Sequence, residues 1–413
     1  MELRNGMDIN FTVNKINIYA CCAKIPDPVV TSFGSMPSRR TVFICIEDHD
    51  GICGWGEVWS NFPIVTADYR AKLAAWVLPQ YLLNAEIEHP KIFTTQLQKR
   101  LNILCVQAGE IGPINSIIAA VNQALWDLRA RRAGLPLRLL LNKNAADKIP
   151  AYASGLNPND CIEVTDRARD EGFKAFKLKI GFGKKVDERN LKAIRSKMTP
   201  GEKLFVDANQ GFSPNSASDQ IEMLVDYGVD WFEEPFIAIA NSSEWKKFKA
   251  ACPIPLAGGE NLLSDLLLTE AFGWLDYIQP DIGKWGGVDG CFDIAKKASA
   301  AGKVYCPHWL SGGIGLLHSA HVLSAAGGKG LLEVDSNPNP LRTVITKHLQ
   351  DLEDSHLLLG TKPGIGIENP LENLTEYIFL KSDKIQILVI LQSEGVVSNI
   401  YPTCRDLIRQ HYI

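Results

Sequence analysis

Three short apolar runs of this 413-residue chain each end in a carboxylate. They read Val-Asp-Ala-Asn at 206–209, Trp-Phe-Glu-Glu-Pro at 231–235 and Leu-Ala-Gly-Gly-Glu at 256–260. Their acids Asp207, Glu233 and Glu260 recur every 26 or 27 residues, the length of one strand-helix repeat. We expect them to converge at one edge of a parallel sheet, without basic partners, and to bind a hard divalent cation, most often Mg²⁺. Each acid alone could instead be a helix N-cap, but three in register favour the metal site.

Two lysines occupy the repeat that precedes these acids. Lys177 and Lys179 alternate with apolar residues in Phe-Lys-Leu-Lys-Ile at 176–180, so they are predicted to share the inner face of one strand. Two neighbouring buried ammonium groups disfavour each other's charge, which lowers the pKa of one of them towards that of a general base. A surface pair is the alternative for an isolated Lys-x-Lys, but the position next to the acids favours a catalytic role.

Four further polar residues follow later predicted strands. Asp281 ends the sixth strand and His308 the seventh, so the carboxylate is placed to orient the imidazole and raise its basicity. Glu333 ends the eighth strand and is expected to hydrogen-bond the substrate, while Lys284 lies just beyond the sixth and is predicted to bind the substrate. Either of these two could instead be a loop charge. Three other histidines fall in helical patterns and are predicted to be structural: His318, His321 and His348.

The elements that must position these side chains alternate between strand and helix beyond residue 149. Their probable strand ends are Ser154, Lys179, Asp207, Glu233, Gly259, Pro280, Cys306 and Glu333. Eight such units, at spacings of roughly 21 to 28 residues, predict a (β/α)₈ TIM-type barrel with its site at the carboxyl ends of the strands. Apart from Lys177 and the three histidines in helical patterns, every polar residue named above lies at such an end or just beyond it.

The first part of the chain follows a different pattern. Residues 11–58 are β-rich, with a tight turn at 48–51, and helical periodicity then continues to about residue 132. Residues 25–40, which contain three prolines, are predicted to form a long loop. We therefore predict an α+β capping domain over 1–135, the barrel over 136–345 and a segment over 346–413 that partly returns to the cap, its tail after 381 unassigned.

Composition excludes several classes of function. Hydrophobic residues at 46%, charged residues at 22% and a net charge of −4 are typical of a globular protein that binds neither nucleic acid nor an anionic membrane. No apolar run approaches the roughly 20 residues that a bilayer requires. The ten cysteines are scattered without a C-x-x-C pair, which indicates reduced thiols and a cytoplasmic location.

These residues together resemble the mandelate racemase subgroup of the enolase superfamily. The resemblance covers about residues 10 to 375 and includes Gly-Trp-Gly-Glu at 54–57, Ala-Leu-Trp-Asp-Leu at 124–128 and the barrel motifs in family order. It implies Mg²⁺ bound by Asp207, Glu233 and Glu260, which stabilises an enediolate. It also implies acid/base roles for Lys179, modulated by Lys177, and for His308 with Asp281 on the opposite face, and substrate contacts for Glu333 and Asn209.

The resemblance further implies a substrate and a lid. The segments 25–40 and 57–63 of the cap would close over a small-molecule carboxylate, and we expect a homo-oligomer. We favour dehydration of a sugar acid, because an imidazolium suits protonation of a departing hydroxyl. Racemisation of a 2-hydroxy acid and cycloisomerisation of a sugar lactone stay open. A Schiff-base aldolase would need the lysine but not three acids, and an inactive binding module would have no reason to keep buried charges.

Overall fold

The computed structural model describes residues 9–347 and 352–382. Its strands, in chain order, are β1 (Phe11–Thr31), β2 (Gly34–Asp48), β3 (Cys53–Val58), β4 (Glu86–Ile87), β5 (Lys148–Leu156), β6 (Ala175–Lys179), β7 (Lys203–Asp207), β8 (Trp231–Glu233), β9 (Leu256–Gly258), β10 (Tyr277–Ile278), β11 (Val304–Tyr305), β12 (Leu332–Asp335), β13 (His356–Leu358) and β14 (Ile378–Lys381). Its α-helices are α1 (Thr66–Val77), α2 (Pro79–Leu82), α3 (Pro90–Ala108), α4 (Ile111–Arg132), α5 (Leu137–Leu141), α6 (Cys161–Asp170), α7 (Lys184–Lys197), α8 (Pro214–Ser218), α9 (Ile221–Asp226), α10 (Ser242–Ala251), α11 (Asp265–Ala271), α12 (Gly287–Ala300), α13 (Gly313–Ala326), α14 (Pro340–Thr343) and α15 (Leu371–Leu374).

The second half of the chain forms a parallel barrel sheet. Its eight strands β5 to β12 lie in the order β11-β10-β9-β8-β7-β6-β5-β12, each followed by helical structure. The (β/α)₈ barrel with a capping domain is thereby confirmed. Lys179, Asp207 and Glu233 are the last residues of β6, β7 and β8, as the apolar runs predicted. Trp231 stacks on Phe205 at 3.6 Å inside the opposite end of the barrel, so that end is filled with side chains.

A long antiparallel sheet forms the core of the cap. Strand β1 pairs with β2, β2 with β3, and the C-terminal β14 adds to the free side of β1. Helix α4 packs across β3 at the glycines, because a Cβ at Gly54 or Gly56 would lie only 2.1 or 1.9 Å from a backbone oxygen of α4. The close approach of this strand and helix therefore requires glycine at both positions.

The predicted loop over residues 25–40 is wrong. β1 and β2 continue as a hairpin, with Val29 opposite Met36 and Thr31 opposite Gly34. Pro26 lies in the irregularity between Lys24 and Val29, where no ladder pairs form, so its missing N–H costs no hydrogen bond. The hairpin turns at residues 32–33, and its tip reaches the mouth of the barrel, where the Ser32 hydroxyl donates to the carbonyl of Ala208 at 3.0 Å.

Two buried acid groups join the cap to the barrel. The Glu57 carboxylate of β3 accepts hydrogen bonds from the N–H groups of Gly312 at 2.6 Å and Gly315 at 2.9 Å, at the N-terminus of α13. It also accepts from the Thr41 hydroxyl at 2.6 Å. Burial raises the pKa of Glu57 to about 7, against the opposing effect of these donors. Arg39 of β2 forms a second junction, a buried ion pair with Asp335 of β12.

Some of the remaining predictions concern residues that the structure does not describe. The domain limits stay a prediction: 1–135, 136–345 and 346–413. The unassigned tail after residue 381 lies largely outside the described residues, and His348 lies wholly outside them. His318 and His321 are buried and contact backbone groups of Trp55 and Arg138. Among residues 9–347 and 352–382, no helix is long and apolar enough to cross a membrane.

Candidate active site

A cavity of about 200 Å³ lies between the cap and the carboxyl ends of the barrel strands. Five of the predicted site residues line it: Lys179, Asn209, Glu260, Lys284 and His308. The other five lie buried outside its lining: Lys177, Asp207, Glu233, Asp281 and Glu333. The predicted residues thus separate into a layer that faces the cavity and a layer of buried partners.

The expectation that the three acids lack basic partners is wrong. Asp207 accepts from Lys179 at 2.5 Å, Glu233 from Lys177 at 2.7 Å, and Glu260 is paired with Lys284. In this arrangement no group of three acid, histidine or cysteine side chains in the described chain stands ready to bind a metal. Strand register nevertheless places Asp207 beside Glu233 at the same end of the sheet.

Lys177 is the centre of the buried layer. Its Nζ lies 2.7 Å from an oxygen of Glu233 and 2.7 Å from an oxygen of Glu333. Burial lowers the pKa of Lys177, but the two carboxylates outweigh burial and raise that pKa well above its usual range. Lys177 is therefore not the lysine of the pair whose pKa was predicted to be lowered, because two carboxylates match its charge.

Lys179 presents the other amine of β6 to the cavity. Its partner Asp207 also accepts from the Asn209 side chain at 3.1 Å and from the Asn209 backbone N–H at 2.7 Å. Asn209 holds this position with a φ of 42°, in the left-handed region that Asn tolerates better than most residues. Its amide oxygen is buried without a hydrogen-bond partner, so an acceptor is free beside the Lys179–Asp207 pair.

His308 and Asp281 form the predicted pair. The imidazole Nδ1 lies 2.7 Å from the Asp281 carboxylate, whose other oxygen accepts from the N–H of Gly283. On the other side of the ring, Nε2 lies 3.2 Å from Glu260. Burial lowers the pKa of His308, but Glu260, Glu333 and Asp281 together raise it to about 9. Asp281 therefore fixes the ring while Nε2 faces the cavity.

Lys284 connects the acid/base residues to the cap. Its Nζ pairs with Glu260, donates to the Asn261 amide oxygen at 3.1 Å and lies 4.6 Å from the ring centre of Trp59. Burial opposes ionisation of Glu260, but His308 and Lys284 hold its pKa well below the usual range. Lys284 therefore stabilises Glu260 as a carboxylate.

Sequence reasoning missed Glu234, which lines the cavity directly after β8. Its φ is 37°, and both carboxylate oxygens accept from the Asn261 side chain, at 2.9 and 3.0 Å. Burial, followed by the charges of Glu260 and Asp207, raises its pKa well above the usual range. The signal was present in the doubled acid of Glu-Glu-Pro, but the pattern alone does not show which of the two glutamates faces the cavity.

The donor set fits a divalent cation. Six buried carboxylates meet here: Asp207, Glu233, Glu234, Glu260, Asp281 and Glu333. They face four cationic groups: Lys177, Lys179, Lys284 and a protonated His308. With all six ionised, two negative charges would lack a cationic partner. Burial raises the pKa of Glu233 to about 7, against the opposing charge of Lys177 and with the help of Asp207 and Glu333. Oxygen ligands with surplus negative charge are what Mg²⁺ prefers.

Comparison with known proteins agrees with this architecture. Residues 15–142 match the mandelate racemase/muconate lactonizing enzyme N-terminal domain, and residues 160–372 match the enolase C-terminal domain-like family. The chain is 29% identical to the D-galactarolactone cycloisomerase of Agrobacterium fabrum over 356 residues, covering 82% of this chain and 91% of the relative. It is also 29% identical to the D-galactonate dehydratase of Pectobacterium atrosepticum over 349 residues, covering 80% and 88%.

A solved structure is closer in sequence than these two enzymes. The mandelate racemase/muconate lactonizing enzyme from Bordetella bronchiseptica is 39% identical, with a TM-score of 0.82, over 89% of this chain and 99% of that chain. The similarity therefore spans both the cap and the barrel. The chain belongs to the mandelate racemase/muconate lactonizing enzyme family of the enolase superfamily.

Proposed function

We propose that this protein is a Mg²⁺-dependent enzyme that removes the α-proton of a sugar acid and expels the β-hydroxyl. The observation that carries the proposal is that Lys179, at the end of β6, and His308, just beyond β11, reach the same small cavity. Removal of a weakly acidic α-proton requires a base close to it and stabilisation of the charge that develops on the carboxylate. Both requirements match groups at this cavity.

Asp207, Glu233 and Glu260 would hold the metal. When bound, Mg²⁺ supplies Lewis-acid stabilisation of the substrate carboxylate. Glu234 is a further acid at the same place, and the burial and neighbouring acids that raise its pKa disfavour its charged form, a cost that a bound cation would offset. The role of Asn209 would be to offer its free amide oxygen to a substrate hydroxyl.

The two proton-transfer groups would act from opposite faces of the α-carbon. Lys179 would take the proton on one side, and His308, oriented by Asp281, would present the proton on Nε2 to the departing hydroxyl on the other. Lys177 and Glu333 would be positioning residues, since the ion pair between them joins β6 to β12 beneath the cavity. Cycloisomerisation needs the same first step and is the second candidate, supported by the lactone-processing relative.

The test follows α-proton exchange in D₂O by NMR, with a panel of aldonates and Mg²⁺. Lys179→Ala is expected to abolish exchange of one substrate configuration, while His308→Asn blocks hydroxyl loss and leaves that exchange in place. Lys174→Ala is the control, because this lysine is exposed and pairs with Asp354, which is exposed as well. Equal loss of exchange in both variants, with Mg²⁺ binding intact, would contradict the two-face assignment.

The proposed metal dependence is tested by chelation. Excess EDTA is expected to abolish exchange and added Mg²⁺ to restore it, so full activity in EDTA would refute the metal dependence.

We also propose a cytoplasmic homo-oligomer. The cytoplasmic location is supported by the nine cysteines of the described chain, all of which are free thiols.

A further inference from the structure

One side of the cavity is an apolar wall, defined by Phe33, Met36, Trp59 and Phe62 of the cap and by Leu310, which follows β11 of the barrel. Phe33, at the tip of the β1–β2 hairpin, packs edge-on against Phe62 with ring centres 5.1 Å apart. The Phe33 side chain is 52% exposed, so much of its surface is available to another molecule. A substrate held by the barrel would turn its far end towards these five side chains.

Two polar residues of the same side, Thr31 and Asn61, already use their donors, whereas the indole N–H of Trp59 is buried without a hydrogen-bond partner. The Thr31 hydroxyl donates to the carbonyl of Gly34 at 3.0 Å. The Asn61 amide donates to the carbonyl of Leu310 at 3.2 Å, and its oxygen accepts from the N–H of Arg40. The cap side therefore offers few free hydrogen-bond donors to the far end of a substrate.

No cation of the described cap lines the cavity. The cationic side chains that do line it are Lys179, Lys284 and His308, which all belong to the barrel and all pair with acids. Lys284 lies closest to the wall, 4.6 Å from the ring centre of Trp59, and its charge is matched there by Glu260. A second carboxylate at the far end of a substrate would meet the apolar wall without a partner, and an unpaired buried charge is strongly disfavoured. The volume of about 200 Å³ also lies below the roughly 300–1,000 Å³ of drug-sized sites.

We propose that the substrate is a small monocarboxylic acid whose far end turns a carbon face towards the apolar wall, as a ring or a deoxygenated chain does, and carries no second carboxylate. This proposal rests on the proposed function, because binding of the substrate carboxylate at the metal fixes which end of the substrate faces the cap. Specificity then comes from the cap, through exclusion of charge at the hairpin tip, while the barrel supplies the chemistry.

The test measures binding, not turnover, with two chelating probes of equal length. Pentanohydroxamate and glutaric monohydroxamate differ in having a methyl group or a carboxylate at the far end. Titration calorimetry with the Mg²⁺-loaded full chain is expected to show at least ~100-fold tighter binding of pentanohydroxamate, because the apolar wall cannot solvate the carboxylate. Equal affinities, or tighter binding of the dicarboxylic probe, would overturn the proposal.

A variant that supplies the missing cation gives the converse test. Phe33→Arg is expected to reduce the preference at least tenfold by pairing with the far carboxylate. Ile64→Arg is the matched control, because Ile64 is also 52% exposed but does not line the cavity, and it should leave the ratio unchanged. An equal change in both variants would show general charge attraction and refute the apolar wall. If neither probe binds, the metal-anchored site of the proposed function is refuted, and the substrate class falls with it.

Discussion

The Glu57 carboxylate at the junction of cap and barrel makes the stability of the protein depend on pH. Burial raises its pKa from the ordinary 4.5 to about 7, so between these values the folded protein binds more protons than the unfolded chain. Stability contributed by this group is therefore fully present at low pH and falls as pH rises through about 7. A difference of this size corresponds to about 3 kcal/mol, most of it between pH 5 and pH 8.

Glu57→Gln removes the titration while keeping the shape of the side chain. The amide oxygen can still accept from Thr41 and Gly312, but the amide nitrogen would face the N–H of Gly315, which loses its acceptor. An orphaned buried N–H costs about 1–3 kcal/mol. The variant should be the less stable protein at pH 5, and its disadvantage should shrink by about 2–3 kcal/mol on going to pH 8.

Urea denaturation followed by circular dichroism at pH 5, 6, 7 and 8 measures this change. The control is Glu86→Gln, an exposed glutamate on the short strand β4 of the same cap, for which we expect less than about 0.5 kcal/mol at every pH. A stability gap between Glu57→Gln and the wild type that stays constant or grows with pH would refute the reasoning.

Two further predictions concern packing and the second junction. Gly56→Ala should destabilise the protein by about 3 kcal/mol or more in urea denaturation, because the added Cβ would lie 1.9 Å from a backbone oxygen of α4. The control is Gly112→Ala, which has open space around the added Cβ and should be near neutral. Equal effects of the two substitutions would contradict the packing argument. Arg39→Ala should cost about 3–5 kcal/mol, since it leaves Asp335 buried without its cationic partner. Lys148→Ala breaks an exposed pair and should be near neutral. A small loss for Arg39→Ala would refute a stabilising role of the buried pair.

The sequence was most informative where local pattern and burial agree. The ends of β6, β7 and β8 were predictable at Lys179, Asp207 and Glu233, because each apolar run has the length of a buried strand and stops at a charged side chain. The hairpin at residues 25–40 was not predictable in this way. Its prolines signal a loop locally, but pairing of β1 with β2 tolerates them at an irregularity in the ladder.

The sequence alone did not predict which charged residues pair with each other. Alternation places Lys177 and Lys179 on one face, but contacts across the barrel decide that Lys177 pairs with both Glu233 and Glu333. The same limit applies to Glu234, whose side chain reaches the cavity through a left-handed backbone conformation just beyond the strand. Such a conformation depends on tertiary contacts, which a single sequence does not display.

The pairing of β14 with β1 has a consequence for the synthesis of the chain. The N–H of Ile18 donates to the Ser382 hydroxyl across a sequence separation of 364 residues, and Tyr19 lies opposite Lys381 in the ladder. Strand β1 leaves the ribosome early, but its outer neighbour follows only after the whole barrel has been translated. Until then one edge of the cap sheet stays open to pairing with another chain. Nascent chains stalled before residue 378 should therefore depend most on chaperones.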